Sequence, residues 1–144
     1  MANGWLVSGG VLSAIAAALH VGIIFGGPAW YRFFGAGEQM AQAAARGSLM
    51  PGLVTAGIAA VLAIWSAYAF SGAGLIPRLP WTRTALVVIA TIYLLRGLAL
   101  FPGLLQANMF LIWSSVIVLV YGATYALGTW RAWPTLSASP GQTL

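Results

Sequence analysis

The run WLVSGGVLSAIAAALHVGIIFGG, residues 5–27, carries no charged side chain in 23 positions. A helix needs roughly 20 mostly apolar residues to cross the hydrocarbon core of a bilayer. This run is long enough, and in lipid its backbone groups must be satisfied within the segment, which a helix does and a lone strand does not. Three further runs have the same character: residues 51–70, opened by Pro51 at a favourable first helical position, residues 84–101, and residues 108–128. The sequence therefore predicts an all-α protein, a transmembrane antiparallel four-helix bundle.

The composition agrees. Of 144 residues, 61% are hydrophobic and 5% charged, where a soluble domain carries about a quarter charged residues. Such a chain has too little polar surface to stay dispersed in water. Residues 1–133 read as one domain and 134–144 as a polar tail, with no internal repeat. MANGW lacks the basic start of a signal peptide and the apolar run continues far beyond it, so Met1 onward is expected to be retained.

The one sizeable loop, PAWYRFFGAGEQMAQAAARGSLM, joins the first two spans. Its Ala-rich middle, 36–46, predicts a short amphipathic helix at the membrane surface, with Glu38 near its start and Arg46 near its end, as the helix dipole favours. Trp30, Tyr31, Phe33 and Phe34 precede it as an interfacial aromatic belt. Four spans put both termini and the second connection on one side, with Arg78, Arg83 and Arg131; the other side holds Arg32 and Arg46. The Arg count predicts cytoplasmic termini in a multi-pass inner-membrane protein. All six basic residues are Arg, which suits a GC-rich bacterial genome. They are scattered along the chain, so no nucleic-acid partner is expected. The lipid bilayer is the expected partner, together with a second copy of the chain or a membrane-complex subunit.

The chain has no Cys, one His and one acidic side chain. That excludes thiolate chemistry and any single-chain metal site of carboxylates and imidazoles. There are no paired carboxylates, no nucleophile with a base and no nucleotide loop, which leans against an enzyme and leaves Glu38 with His20 as the one candidate acid–base pair. The polar residues inside the spans carry what function is legible. Arg96 lies twelve residues into the third span. A charge near mid-membrane costs about 2.5–3.5 kcal/mol on insertion scales, so it normally faces a partner, a cavity or an interface; the plainer reading is snorkelling to the headgroups. His20, fifteen residues into the first span, falls at similar depth on a face of small residues; it reads as a proton-sensitive group, a cofactor ligand, or a neutral interhelical hydrogen-bonder. Glu38 is expected to cover the bundle mouth and pair with Arg96 or His20, or to sit solvated at its helix start.

Thr55, Ala59, Leu62 and Ser66 share one helix face, as do Ser114, Val118, Tyr121 and Tyr125. If these stripes converge, His20, Thr55, Tyr93, Arg96 and Ser114 line a ligand-binding pocket in the outer half, roofed by the Glu38 helix. Gly22 and Gly26 form a GxxxG pair suited to close helix contact.

The stretch HVGIIFGGPAWYRFFGAGEQMAQAAARG, His20 to Gly47, and YLLRGLALFP, Tyr93 to Pro102, resemble a group of small uncharacterised bacterial inner-membrane proteins with four predicted spans. In span count and loop pattern the chain is more distantly similar to DoxX-like proteins. The resemblance implies the architecture and brings no activity. The expected function is binding or transport of a polar, anionic or lipid-like ligand. The alternatives are an accessory subunit of a membrane complex, and a redox protein holding haem or pigment through His20. No cofactor is expected; a bound lipid fits.

Overall fold

The computed structural model describes residues 2–137. Among them the regular structure is entirely helical: α1 (Gly4–Phe33), α2 (Glu38–Ala45), α3 (Met50–Gly72), α4 (Thr82–Gly97), α5 (Leu100–Leu105) and α6 (Met109–Ser137). Four segments are long and apolar enough to cross a bilayer: α1, α3, α4 continued through α5, and α6. Many of their large apolar side chains face outward, among them Phe25, Ile64, Leu95 and Ile117. Contiguous apolar exposure of this extent belongs against lipid.

The chain divides into two compact units, Met1–Leu12 with Trp65–Leu144, and Ser13–Ile64. The first unit joins the start of α1, the end of α3, and α4 to α6. Its helices approach closely at small residues: a Cβ on Gly128 would fall 2.7 Å from Leu6 Cγ, and one on Gly122 would fall 2.8 Å from Leu94 Cδ2. Close backbone approach of this kind drives helix association in lipid, where no hydrophobic force separates helix from solvent. Side chains then bond across to carbonyls. Asn3 Nδ2 donates to Gly128 O (2.7 Å), Ser66 Oγ to Gly10 O (2.8 Å), Tyr121 Oη to Leu12 O (3.0 Å) and Tyr125 Oη to Trp65 O (3.1 Å).

The α3–α4 connection is tied by Ser71, whose Oγ accepts from Leu79 N (2.8 Å) and donates to Pro77 O (3.2 Å). The third span is interrupted between α4 and α5 because Pro102 has no N–H for the Leu98 carbonyl. That carbonyl accepts from Phe101 N (3.1 Å) in a tighter turn, and α5 continues past Pro102 to Leu105, beyond the expected end of the span at 101. The expected end of the fourth span at 128 is exceeded. Helix α6 runs through Pro134 to Ser137, because Leu136 is buried and Arg78 Nη2 donates to the Thr135 carbonyl (2.7 Å). The remainder of the expected tail, 138–144, lies outside the described residues.

The second unit holds the rest of α1, α2 and the first part of α3. The break expected at Gly26-Gly27-Pro28 is a kink within α1: Gly27 has φ 65° and ψ −154°, and helical geometry resumes through Pro28 to Phe33. Glycine reaches that conformation without strain and proline suits the first position after it. The kink folds the Trp30 indole back over the preceding turn, where a Cβ on Gly26 would fall 2.1 Å from Trp30 Cγ and one on Gly22 would touch the ring at 3.4 Å. The GxxxG pair thus makes room for an indole of its own helix. The short helix expected over 36–46 is α2, and it packs Ala41 into a small core with Ile23 and Tyr31, flanked by Phe34, Met40 and Ala44. Ser48 Oγ accepts from Met50 N (3.3 Å) where α3 starts.

Candidate functional site

Arg96 stands in the last turn of α4, and its guanidinium reaches α6. Nη1 donates to Ser115 Oγ at 3.3 Å and Nη2 to Ser114 Oγ at 3.5 Å. Both bonds are long against the usual 2.7–3.2 Å and both acceptors are neutral. Ser115 is fully buried, while Arg96 itself is exposed at the protein surface. The guanidinium is therefore positioned by two hydroxyls and not neutralised by them. Of the residues expected to line one pocket, Arg96 and Ser114 are brought together, and Ser115 is a partner that the helical stripe through Ser114 passed over.

Tyr93, one turn before Arg96, is buried. Its ring packs edge-on to Trp65 (centroids 5.0 Å apart) and against Tyr121 (5.3 Å) and Tyr125 (5.5 Å). Helices α3, α4 and α6 meet at this four-ring cluster. The hydroxyls of Tyr121 and Tyr125 bond to backbone carbonyls, so the cluster buries its rings without orphaning their polar ends.

The other three expected site residues lie in the second unit. His20, half-buried, directs Nδ1 to the Ala16 carbonyl at 2.8 Å. A carbonyl only accepts, so Nδ1 carries a proton. Thr55 is buried; its Oγ1 donates to Pro51 O (2.8 Å) and lies 3.5 Å from Tyr31 Oη. Glu38 is exposed, and Arg32 holds its carboxylate in a two-pronged pair, Nε to Oε2 and Nη2 to Oε1, each 2.8 Å. Gln42 Nε2 donates to the same carboxylate at 3.3 Å. The Glu38 carboxylate was expected to go to Arg96 or His20, or to sit solvated at its helix start; it is exposed at the start of α2, and Arg32 takes it because the Gly35–Gly37 turn brings α2 back beside the end of α1. The hydrogen bond from Arg32 holds the Glu38 carboxyl below the usual carboxylate range.

Basic residues and tryptophans also gather at one end of the first unit. The Arg83 guanidinium lies 3.7 Å over the Trp133 ring, and that of Arg131 lies 5.6 Å from the Trp5 ring. Arg78 reaches Thr135 at the same end of α6. Stacked Arg–Trp pairs at the ends of apolar helices are headgroup-level anchors.

Four spanning helices, apolar outer faces and this anchor set define a multi-pass integral membrane protein. No family model matches the chain, and neither a curated protein nor a solved structure matches it.

Proposed function

We propose that this protein binds a small anionic or lipid-like ligand, its phosphate or carboxylate group received by Arg96 with Ser114 and Ser115. One observation carries the reading: a guanidinium within an apolar span is held by two neutral hydroxyls at 3.3 and 3.5 Å, while the chain's single acidic side chain belongs to Arg32. A charge in that setting gains most from a counter-charge, and the planar fork of arginine matches two oxygens of a phosphate or carboxylate. On the Arg count we assign the termini to the cytoplasmic face of a bacterial inner membrane and Arg96 to its outer half. The gathering of Arg78, Arg83 and Arg131 at one end of the first unit supports that orientation.

The test is titration of the protein in dodecyl maltoside micelles with dodecyl phosphate, following the Arg96 Nε–H resonance, assigned by its disappearance in Arg96→Lys. A saturable shift is expected, and Ser115→Ala should weaken the binding about threefold, the factor for one interhelical hydrogen bond of about 0.6 kcal/mol. No shift with dodecyl phosphate, or loss of a co-purifying protein as the only consequence of Arg96→Leu, overturns the reading.

A further inference from the structure

A groove of about 510 Å³ runs between α4 and α6, walled by Val87, Ala90, Leu94, Ala126, Thr129 and Trp133. Its volume lies in the range that holds small ligands. From Val87 to Leu94 it follows α4 for about 10 Å at 1.5 Å per residue. Three features set it apart from the rest of the apolar surface.

The first is a polar group with nothing to bond. Thr129 is 4% exposed, and its Oγ1 is the buried side-chain oxygen or nitrogen without a hydrogen-bond partner among the described residues. An unsatisfied hydroxyl in hydrocarbon surroundings is costly. The second is a cation at the mouth. Arg83 precedes Val87 by one helical turn, on the same side of α4, and its guanidinium rests on Trp133, a wall of the groove. The third is the lack of any acid for that cation, since the single acidic side chain of the chain is bonded to Arg32. The groove is apolar along its length, hydroxylated one turn in and positive at its end. That order of groups complements an anionic phospholipid.

We infer that the α4–α6 groove is a binding site for one anionic phospholipid. Its phosphate meets Arg83 beside the Trp133 indole. Its acyl ester carbonyl accepts from Thr129, whose hydroxyl turns to it by a χ1 rotation open to threonine in helices. The acyl chain lies along Val87, Ala90, Leu94 and Ala126. The site shares no residue with the Arg96 cluster and stands or falls separately from it.

The test is native mass spectrometry of the intact chain in detergent, with phosphatidylglycerol and phosphatidylcholine of identical acyl chains added in turn. Wild-type protein should retain one phosphatidylglycerol in preference to phosphatidylcholine. Arg83→Gln, an exposed substitution that leaves the helices intact, should weaken phosphatidylglycerol retention about fivefold, the factor for one basic side chain at an anionic lipid surface. Thr129→Val, isosteric and without the hydroxyl, should weaken both lipids about threefold, as expected for one hydrogen bond in lipid. Arg96→Leu should change neither. Equal retention of the two lipids by wild-type protein, or unchanged preference in Arg83→Gln, overturns the inference. A dimer that excludes both lipids overturns it as well, because the groove would then belong to a second copy of the chain.

Discussion

Replacing Gly128 with alanine tests whether the first unit is held by backbone approach at small residues. Its new Cβ would stand 2.7 Å from Leu6 Cγ, 2.8 Å from Leu6 Cδ2 and 2.9 Å from Leu6 N. The side-chain atoms could turn away, but the backbone nitrogen moves only if α1 moves, and the Asn3 bond to the Gly128 carbonyl at 2.7 Å would be strained with it. Overpacking a tight contact costs about 1–3 kcal/mol, while alanine gains up to about 1 kcal/mol of helix propensity over glycine. Gly128→Ala should therefore lose up to about 2 kcal/mol net. Gly57 in α3 supplies the control, because a Cβ there meets nothing within 4 Å; Gly57→Ala should gain about 0.5–1 kcal/mol. The assay is reversible unfolding in mixed micelles of dodecyl maltoside and SDS, followed by circular dichroism. Adding Leu6→Ala to Gly128→Ala should cost less than the two single changes summed, since the pair shares a contact. If Gly128→Ala is as stable as Gly57→Ala, close packing of α1 on α6 does not hold this unit together.

Gly27→Ala places a Cβ on a residue with φ 65° and ψ −154°; it should cost about 1–3 kcal/mol and, by straightening α1, release the Trp30 indole, read as a shift in tryptophan emission. An unchanged spectrum and unchanged stability would contradict the kink. The Arg32–Glu38 pair predicts a pH dependence. Because the folded Glu38 pKa is lowered by its bond to Arg32, the pair's contribution is present above the ordinary glutamate pKa and is lost as pH falls through the lowered folded value. The Glu38 carboxyl carbon resonance should titrate below the ordinary glutamate midpoint and return to it in Arg32→Gln; an identical midpoint in both proteins would refute the pairing.

The four spans were legible because bilayer thickness fixes a length and hydrocarbon forbids charge, two constraints that act on the chain locally. The surface helix was legible from its Ala-rich run between Gly35 and Gly47. Arg96 stood out because a cation in an apolar run needs a reason wherever its neighbours lie. The polar stripe read on α6 matches its buried face only at Tyr125. Ser114, Val118, Tyr121 and Tyr125 satisfy helical spacing, whereas the structure buries Ser115, Gly122, Tyr125, Thr129, Ala132 and Leu136. In a helix apolar on every side, hydrophobicity carries no information about which face turns inward.

Sequence alone, then, determined how many apolar spans form, where each begins within a few residues, and which polar groups have no business in lipid. Tertiary structure alone decided who meets whom: Arg32 takes the sole carboxylate, the Ser114–Ser115 pair holds Arg96, Trp30 fills the Gly22–Gly26 step, and the Thr129 hydroxyl has no partner among the described residues. The physical reason is that transfer into a membrane is a property of each segment by itself. Pairing depends on which faces the helices turn to each other, and that is set by contacts between residues far apart along the chain.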